Sequence, residues 1–195
     1  MLEGVLVDLV PYDKRFKDQD HRWWNNESVF WSGEGQRNFV SKAQVEAEHK
    51  EWYDSTEPDT GVPFGVLAKD GTPLGYFGIN WIAPFSRIAN LGASIGEPDY
   101  WGGGYGTDAL LLLIEYCFRT LDMRKVWLGT MSINVRVIRQ MEKVGFKLEA
   151  LRRDAVHADG KWYDEPSYGM FREDWPGYTV MVERLGLKAR PPKEG

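Results

Sequence analysis

A chain of 195 residues with 43% hydrophobic and 27% charged side chains has the composition of one ordinary globular domain, which excludes the disordered, collagenous and membrane-spanning classes. Its net charge of -5 argues against a nucleic-acid binder and tolerates a cationic partner. The single cysteine, Cys117, lies in an apolar run, so it excludes an intramolecular disulfide and a cysteine-rich metal site and reads as an inert core thiol. No stretch approaches the roughly 20 apolar residues that span a bilayer, and the opening "MLEGVLVDLVPYDKRF" lacks the basic-then-apolar order of an export signal. A cytoplasmic protein with neither membrane nor nucleic acid as partner is expected.

In chain order, "GVLVDLVPYD" alternates apolar and polar residues up to Pro11 and predicts a first strand. Residues 13–54 predict two short helices, one of them "SKAQVEAEHKEWYDS", capped by Ser41 and ended before Pro58. "PFGVLAKDGTPLGYFGINWIAP" predicts a hairpin turning at Asp70-Gly71, and Ile88–Gly96 a further strand. A helix over about Gly106–Leu121 follows, then the strand "KVWLGTM", a short helix closed by Gly145, and a hairpin turning at Asp159-Gly160. The domain is expected to span 1–187, with 188–195 as a flexible tail.

"YWGGGYGTDALLLLIEYCF" carries four glycines in five positions, Gly102, Gly103, Gly104 and Gly106, directly before the apolar helix. The start of a helix has unpaired N–H groups and the positive end of the peptide dipole, and glycines let a phosphate approach that backbone. A plain structural loop is the alternative. Nucleoside triphosphatase and dinucleotide fingerprints both fail: no Lys lies between Lys69 and Lys125, and Gly102, Gly104 and Gly106 are spaced by two.

"IGEPDYWGGGYGTDAL", followed by Asn134 and "EKVGF", resembles the GNAT superfamily of acetyl-CoA-dependent N-acetyltransferases, in the branch of ribosomal-protein N-terminal (Rim-type) and spermidine acetyltransferases. The family pattern Arg/Gln-x-x-Gly-x-Gly/Ala falls on Trp101 to Gly106. Two departures stand out: Trp101 replaces the first Arg or Gln, and Gly103 replaces a usual Lys, which removes one cation from the phosphate site. The resemblance implies an α+β GNAT fold, a mixed, mostly antiparallel sheet with helices on both faces in a single domain. It also implies a homodimer.

By the same resemblance, the backbone N–H groups of Gly102, Gly104, Gly106 and Thr107 bind the coenzyme A pyrophosphate, Trp101, Gly103 and Tyr105 complete the cofactor-binding stretch, and Ile95 and Gly96 pair their backbone with the pantetheine arm. Asn134 touches the pantetheine or serves as an N-cap. Arg139 and Lys143 reach the phosphates or lie on a solvated face. The chemistry implied is direct attack of a neutral primary amine on the thioester, with Glu97 as first choice of base and Asp99, Asp154 and His157 behind it. The family's Tyr acid falls on Met141. Trp24, Trp31, Trp81 and Tyr163 are candidates to line the acceptor pocket, with Glu27 or Glu34 drawing in a cation.

The reading is an acetyl-CoA-dependent N-acetyltransferase acting, without a metal, on a protein N-terminus, a polyamine or another small amine. The alternatives are an aminoglycoside-type acetyltransferase and an acyl-CoA-binding module without catalysis.

Overall fold

The structure, a computed structural model, describes residues 1–32, 39–53 and 61–190. Strands β1 (Leu2–Glu3), β2 (Val7–Pro11), β3 (Val62–Ala68), β4 (Pro73–Ala83), β5 (Ile88–Ile95), β6 (Lys125–Gly129), β7 (Lys147–Ala158) and β8 (Lys161–Phe171) form one sheet in the order β1-β2-β3-β4-β5-β6-β8-β7. Every neighbouring pair is antiparallel except β5 and β6. The parallel pair follows from its connection, because a helix rather than a tight turn links β5 to β6.

The helices are α1 (Lys14–Trp23), α2 (Glu27–Ser32), α3 (Lys42–Glu48), α4 (Tyr105–Glu115), α5 (Val135–Val144) and α6 (Tyr178–Leu185). Local chemistry places their ends. Asp13 caps α1 by accepting from the Arg15 N–H at 3.0 Å, and Ser41 with Gln44 forms a reciprocal capping box on α3. Gly145, at φ 110°, closes α5 in the left-handed conformation.

Every residue from Asp108 to Ile114 is buried, so α4 needs apolar side chains all round rather than a single stripe. One core holds α4, α5 and α6 against one face of the sheet, with Val7, Leu9, Val66, Phe77, Leu91, Val126 and Leu128 beneath them. On the opposite face α1 packs Phe16 and Trp23 against Val10 and Leu67. A third cluster joins Phe30 and Trp31 of α2 to Met131, Ile133, Val156, Ala158 and Tyr163.

Three expectations change. The strand expected over "GVLVDLVPYD" is β2 and starts only at Val7, behind the two-residue β1, where the buried Asp108 carboxylate accepts the N–H groups of Leu6 (2.6 Å) and Val7 (3.1 Å). Residues 13–54 contain three described helices rather than two. Helix α6 was not expected, although Tyr178, Met181, Val182 and Leu185 repeat at helical spacing and Gly186 follows at φ 64°.

Candidate active site

β5 and β6 pair only at Ile88–Lys125, Ala89–Val126 and Asn90–Trp127. Beyond that point β5 stays with β4 as far as Ile95, while β6 stays with β8 as far as Gly129. The two strands therefore part, and one edge of each is left without its sheet neighbour. The Gly96 N–H donates to the Leu74 carbonyl at 2.8 Å, so strand alternation turns the backbone of Ser94 and Gly92 toward β4 as well. Leu91, Ala93 and Ile95 turn theirs toward the opening. Asn90 stands where the strands part: its side chain accepts from Asn80 Nδ2 at 2.8 Å and donates to the Trp127 carbonyl at 3.4 Å.

This alternation corrects one expectation. Gly96 is buried and has no free backbone edge: its carbonyl accepts from Asn26 Nδ2 at 3.0 Å, and an added Cβ would lie 2.2 Å from the Trp23 ring. The Ile95 carbonyl faces the opening but accepts from the Trp101 indole at 2.8 Å. Ala93 is the exposed residue of that edge, and the alternation signal was already in the sequence.

At the end of β5 the glycine stretch leads into α4. Gly102 (φ 75°) and Gly104 (φ 90°) adopt the left-handed region, which turns successive N–H groups toward one side. The first helical bond is from the Asp108 N–H to the Gly104 carbonyl at 2.9 Å. Among the described residues, the N–H groups from Gly102 to Thr107 have no protein acceptor. A Cβ on Gly102 would meet nothing within 4 Å, and one on Gly106 would make only ordinary contacts with Ile95, Gln140 and Phe77. Gly103 is tighter, with the Tyr105 ring 2.8 Å from such a Cβ.

Helix α5 borders the same space. Arg136, which the sequence reading did not single out, stacks 4.3 Å from the centre of the Trp101 ring, and Gln140 lies one turn further on, beside Gly106. Their i, i+4 spacing was the available signal. Asn134 is buried and caps α5: its Oδ1 accepts from the Val137 N–H at 3.4 Å, and its Nδ2 donates to Thr130 Oγ1 at 3.2 Å. Its side chain is committed within the protein. Arg139 and Lys143 are exposed.

Glu97, just past β5, accepts from both guanidinium nitrogens of Arg22 and from Trp23 Nε1 at 2.9 Å. Burial raises its proton affinity, but the bonds from Arg22 and Trp23 outweigh that and hold the carboxyl below its ordinary value. A carboxylate held in that way is a weak base and a good latch between α1 and the end of β5. Met141 is fully buried in the main core, and Cys117 is too, its thiol pushed up to about 12 by desolvation.

The acceptor candidates divide. Trp31 and Tyr163 meet in the third cluster, where Trp31 packs edge-on to Phe30 at 4.9 Å. Trp81, 42% exposed, sits edge-on to Trp127 at 5.8 Å, beside the point where β5 and β6 part. Trp127 was missed, although "KVWLG" alternates it against the buried Val126 and Leu128. Trp24 lies apart, against His49 of the chain after α3. Glu27 is exposed at the start of α2, Asp154 and His157 lie on the exposed strand β7, and Glu34 is outside the described residues.

A mixed sheet that parts beside a glycine-rich helix start can be compared with known proteins. The profile of the Acetyltransferase (GNAT) domain family matches residues 8–147. This chain belongs to the GNAT acetyltransferases. The GNAT chain is 26% identical over 183 residues to spermidine N(1)-acetyltransferase of Escherichia coli (strain K12), covering 90% of this chain and 94% of that one. It is 28% identical over 149 residues to the probable N-acetyltransferase YjcK of Bacillus subtilis (strain 168), covering 74% and 76%. In fold it matches Mycobacterium smegmatis RimJ in complex with CoA-disulfide, with a TM-score of 0.79 at 19% identity over 94% of this chain and 91% of that one. Spermidine N-acetyltransferase from Vibrio cholerae, in complex with CoA and spermine, gives a TM-score of 0.76 at 17% identity over 89% and 98%. The GNAT domain described here is an acyltransferase of the N-acetyltransferase type, and among its described residues no helix is long and apolar enough to cross a membrane.

Proposed function

We propose that this GNAT domain moves an acetyl group from acetyl-CoA to a primary amine. The observation that carries the reading is the parting of β5 and β6 beside six consecutive free N–H groups. Those groups and the open space at Gly102 fit a pyrophosphate, since anions are favoured where unpaired N–H groups and a helix dipole converge. The free strand edge, which is the backbone of Ala93 and the N–H of Ile95, would pair with the pantetheine amides as a peptide adds to a sheet. Asn134 shapes the neighbouring turn from its capped position. Bound there, acetyl-CoA supplies an activated thioester carbonyl.

The neutral amine nitrogen bonds to the carbonyl carbon, the C–S bond breaks, and the proton the amine gives up passes by way of solvent to the departing sulfur, which leaves as the CoA thiol. An N–H of the free edge would stabilise the oxygen charge that develops on attack. Trp81, Trp127, Trp31 and Tyr163 would hold the amine on the opposite face of the sheet. Glu97 enters as a positioning residue, because its carboxylate is spent on Arg22 and Trp23. The acceptor class is a cationic amine, which suits a chain of net charge -5; the spermidine acetyltransferase relatives support a polyamine.

The second reading, binding without catalysis, rests on Met141, fully buried where the resembling family places its Tyr acid. A panel of spermidine, N-terminal peptides and an aminoglycoside, with thiol release as the readout, separates the two. Turnover of any amine removes the binding-only reading. Saturable CoA binding with no thiol release across the panel removes the enzyme reading of this particular site.

A further inference from the structure

Position 103 is glycine, so the loop itself offers no cation to a phosphate. The segment that follows α6 brings one. The N–H of Gly186 donates to the Glu183 carbonyl and that of Leu187 to the Val182 carbonyl, at 3.1 and 3.0 Å, so the helix ends in a turn that redirects the chain. Leu187 then packs on the loop, its Cδ2 3.2 Å from where a Cβ at Gly104 would stand, beside Leu6. Three residues on, Arg190 places Nη1 3.3 Å from where a Cβ at Gly103 would stand, and its guanidinium lies 5.9 Å from the centre of the Tyr105 ring. Arg190 is exposed, and among the described residues no carboxylate pairs with it.

We propose that Arg190, 87 positions along the chain from Gly103, supplies a cation to the phosphate site and binds the pyrophosphate of coenzyme A together with the N–H groups of Gly102 to Thr107. This rests on the acetyl-CoA reading above. A guanidinium presents several donors in a fixed plane and meets phosphate oxygens in pairs, so it can serve from outside the loop where a side chain at 103 would crowd Tyr105. A glycine at 103 and a cation carried by a distant segment form one arrangement, since the guanidinium occupies the space beside the missing side chain.

The test is calorimetric binding of CoA, dephospho-CoA and pantetheine to the full chain, in the wild type and in Arg190→Gln and Arg190→Lys. Arg190→Gln is expected to weaken CoA about fivefold at low ionic strength and less in high salt, the size of a partly screened charge contact. Dephospho-CoA should lose the same factor, pantetheine nothing, and Arg190→Lys, which keeps the charge but not the paired donors, should fall between wild type and Arg190→Gln. Equal CoA affinity in wild type and Arg190→Gln overturns the proposal while leaving the acetyl-CoA reading standing. An equal loss for pantetheine overturns it by showing a general structural effect, and a loss for CoA that vanishes with dephospho-CoA overturns the pyrophosphate assignment in favour of the 3′-phosphate. A wild type that binds none of the three overturns the underlying reading instead.

Discussion

The two sides of the opening between β5 and β6 are built from different materials. On the α4 side the groups offered are backbone: free N–H groups from Gly102 to Thr107 and a strand edge at Ala93, held on a helix whose inner residues are all buried. On the α1–α2 side they are side chains: Trp81 against Trp127, Trp31 near Tyr163, and Glu27 at the surface. Backbone groups set by a buried helix change little with side-chain identity, so that side can be kept while the other varies. This explains why the backbone of the glycine stretch is legible in the sequence and the meeting of the aromatic side chains is not.

The sharpest way to break the comparison is to remove the support of the α4 side. Asp108 is fully buried and accepts from Leu6, Val7 and Tyr178, the last at 2.8 Å. Asp108→Ala leaves two buried N–H groups and the half-buried Tyr178 hydroxyl without their acceptor, and a loss of about 3 kcal/mol is expected, or roughly 6–12 °C in Tm. A calorimetric scan that finds less than about 2 °C would show that the carboxylate is not what holds the start of β2 on α4.

Gly106→Leu acts on the ligand and spares the fold. Its Cβ meets only ordinary contacts at 3.6 to 3.8 Å and Gly106 is not among the positive-φ residues, so Tm should hold, while the side chain fills the space beside Ile95 and Gln140. CoA binding should fall by at least about fiftyfold, near 2.3 kcal/mol. Gly104→Trp is the worse probe, because φ 90° and the contacts with Leu187 and Leu6 strain the loop itself. Unchanged affinity in Gly106→Leu would move the phosphate site elsewhere.

On the other side, Trp81→Ala should raise KM for the amine by about fivefold, the value of one partly exposed aromatic contact, with KM for acetyl-CoA unmoved. A rise in the acetyl-CoA KM alone would reverse the assignment of the two sides.

The smallest effect is expected from Glu97→Gln. Loss of the Arg22 ion pair at a partly exposed carboxyl should cost about 1 kcal/mol at neutral pH. Because the folded carboxyl is held below its ordinary value of 4.5, its contribution is present above that value and is lost as pH falls below it, so the stability gap between wild type and variant should close in acid. As a latch, Glu97 leaves kcat within about threefold; loss of the acid limb of the kcat/KM profile, with kcat down about a hundredfold, would make it the base after all.

Much of the molecule was legible one segment at a time. Ser41 with Gln44, Asn134, Gly145 and the Asp159-Gly160 turn each act through neighbours within a few residues, and each stands where the sequence put it. The order "YWGGGYG" before "TDALLLLIEY" marks a helix start with free N–H groups, because that chemistry belongs to backbone and glycine alone. Helix α6 was legible too, in its periodicity, and was passed over.

What the sequence by itself determined is therefore local: strand alternation, caps, turns and a phosphate-ready helix start, all set by groups close along the chain. Only the tertiary structure decided which partners meet across it. Glu97 is paired within the protein because α1 brings Arg22 and Trp23 to it from about 75 residues away. Gly96 loses its free edge because β4 and Asn26 take both of its backbone groups. Arg190 reaches Gly103 because α6 packs on α4 and turns the chain back over the loop. Burial and charge pairing depend on distance in space, and no spacing along the sequence encodes it.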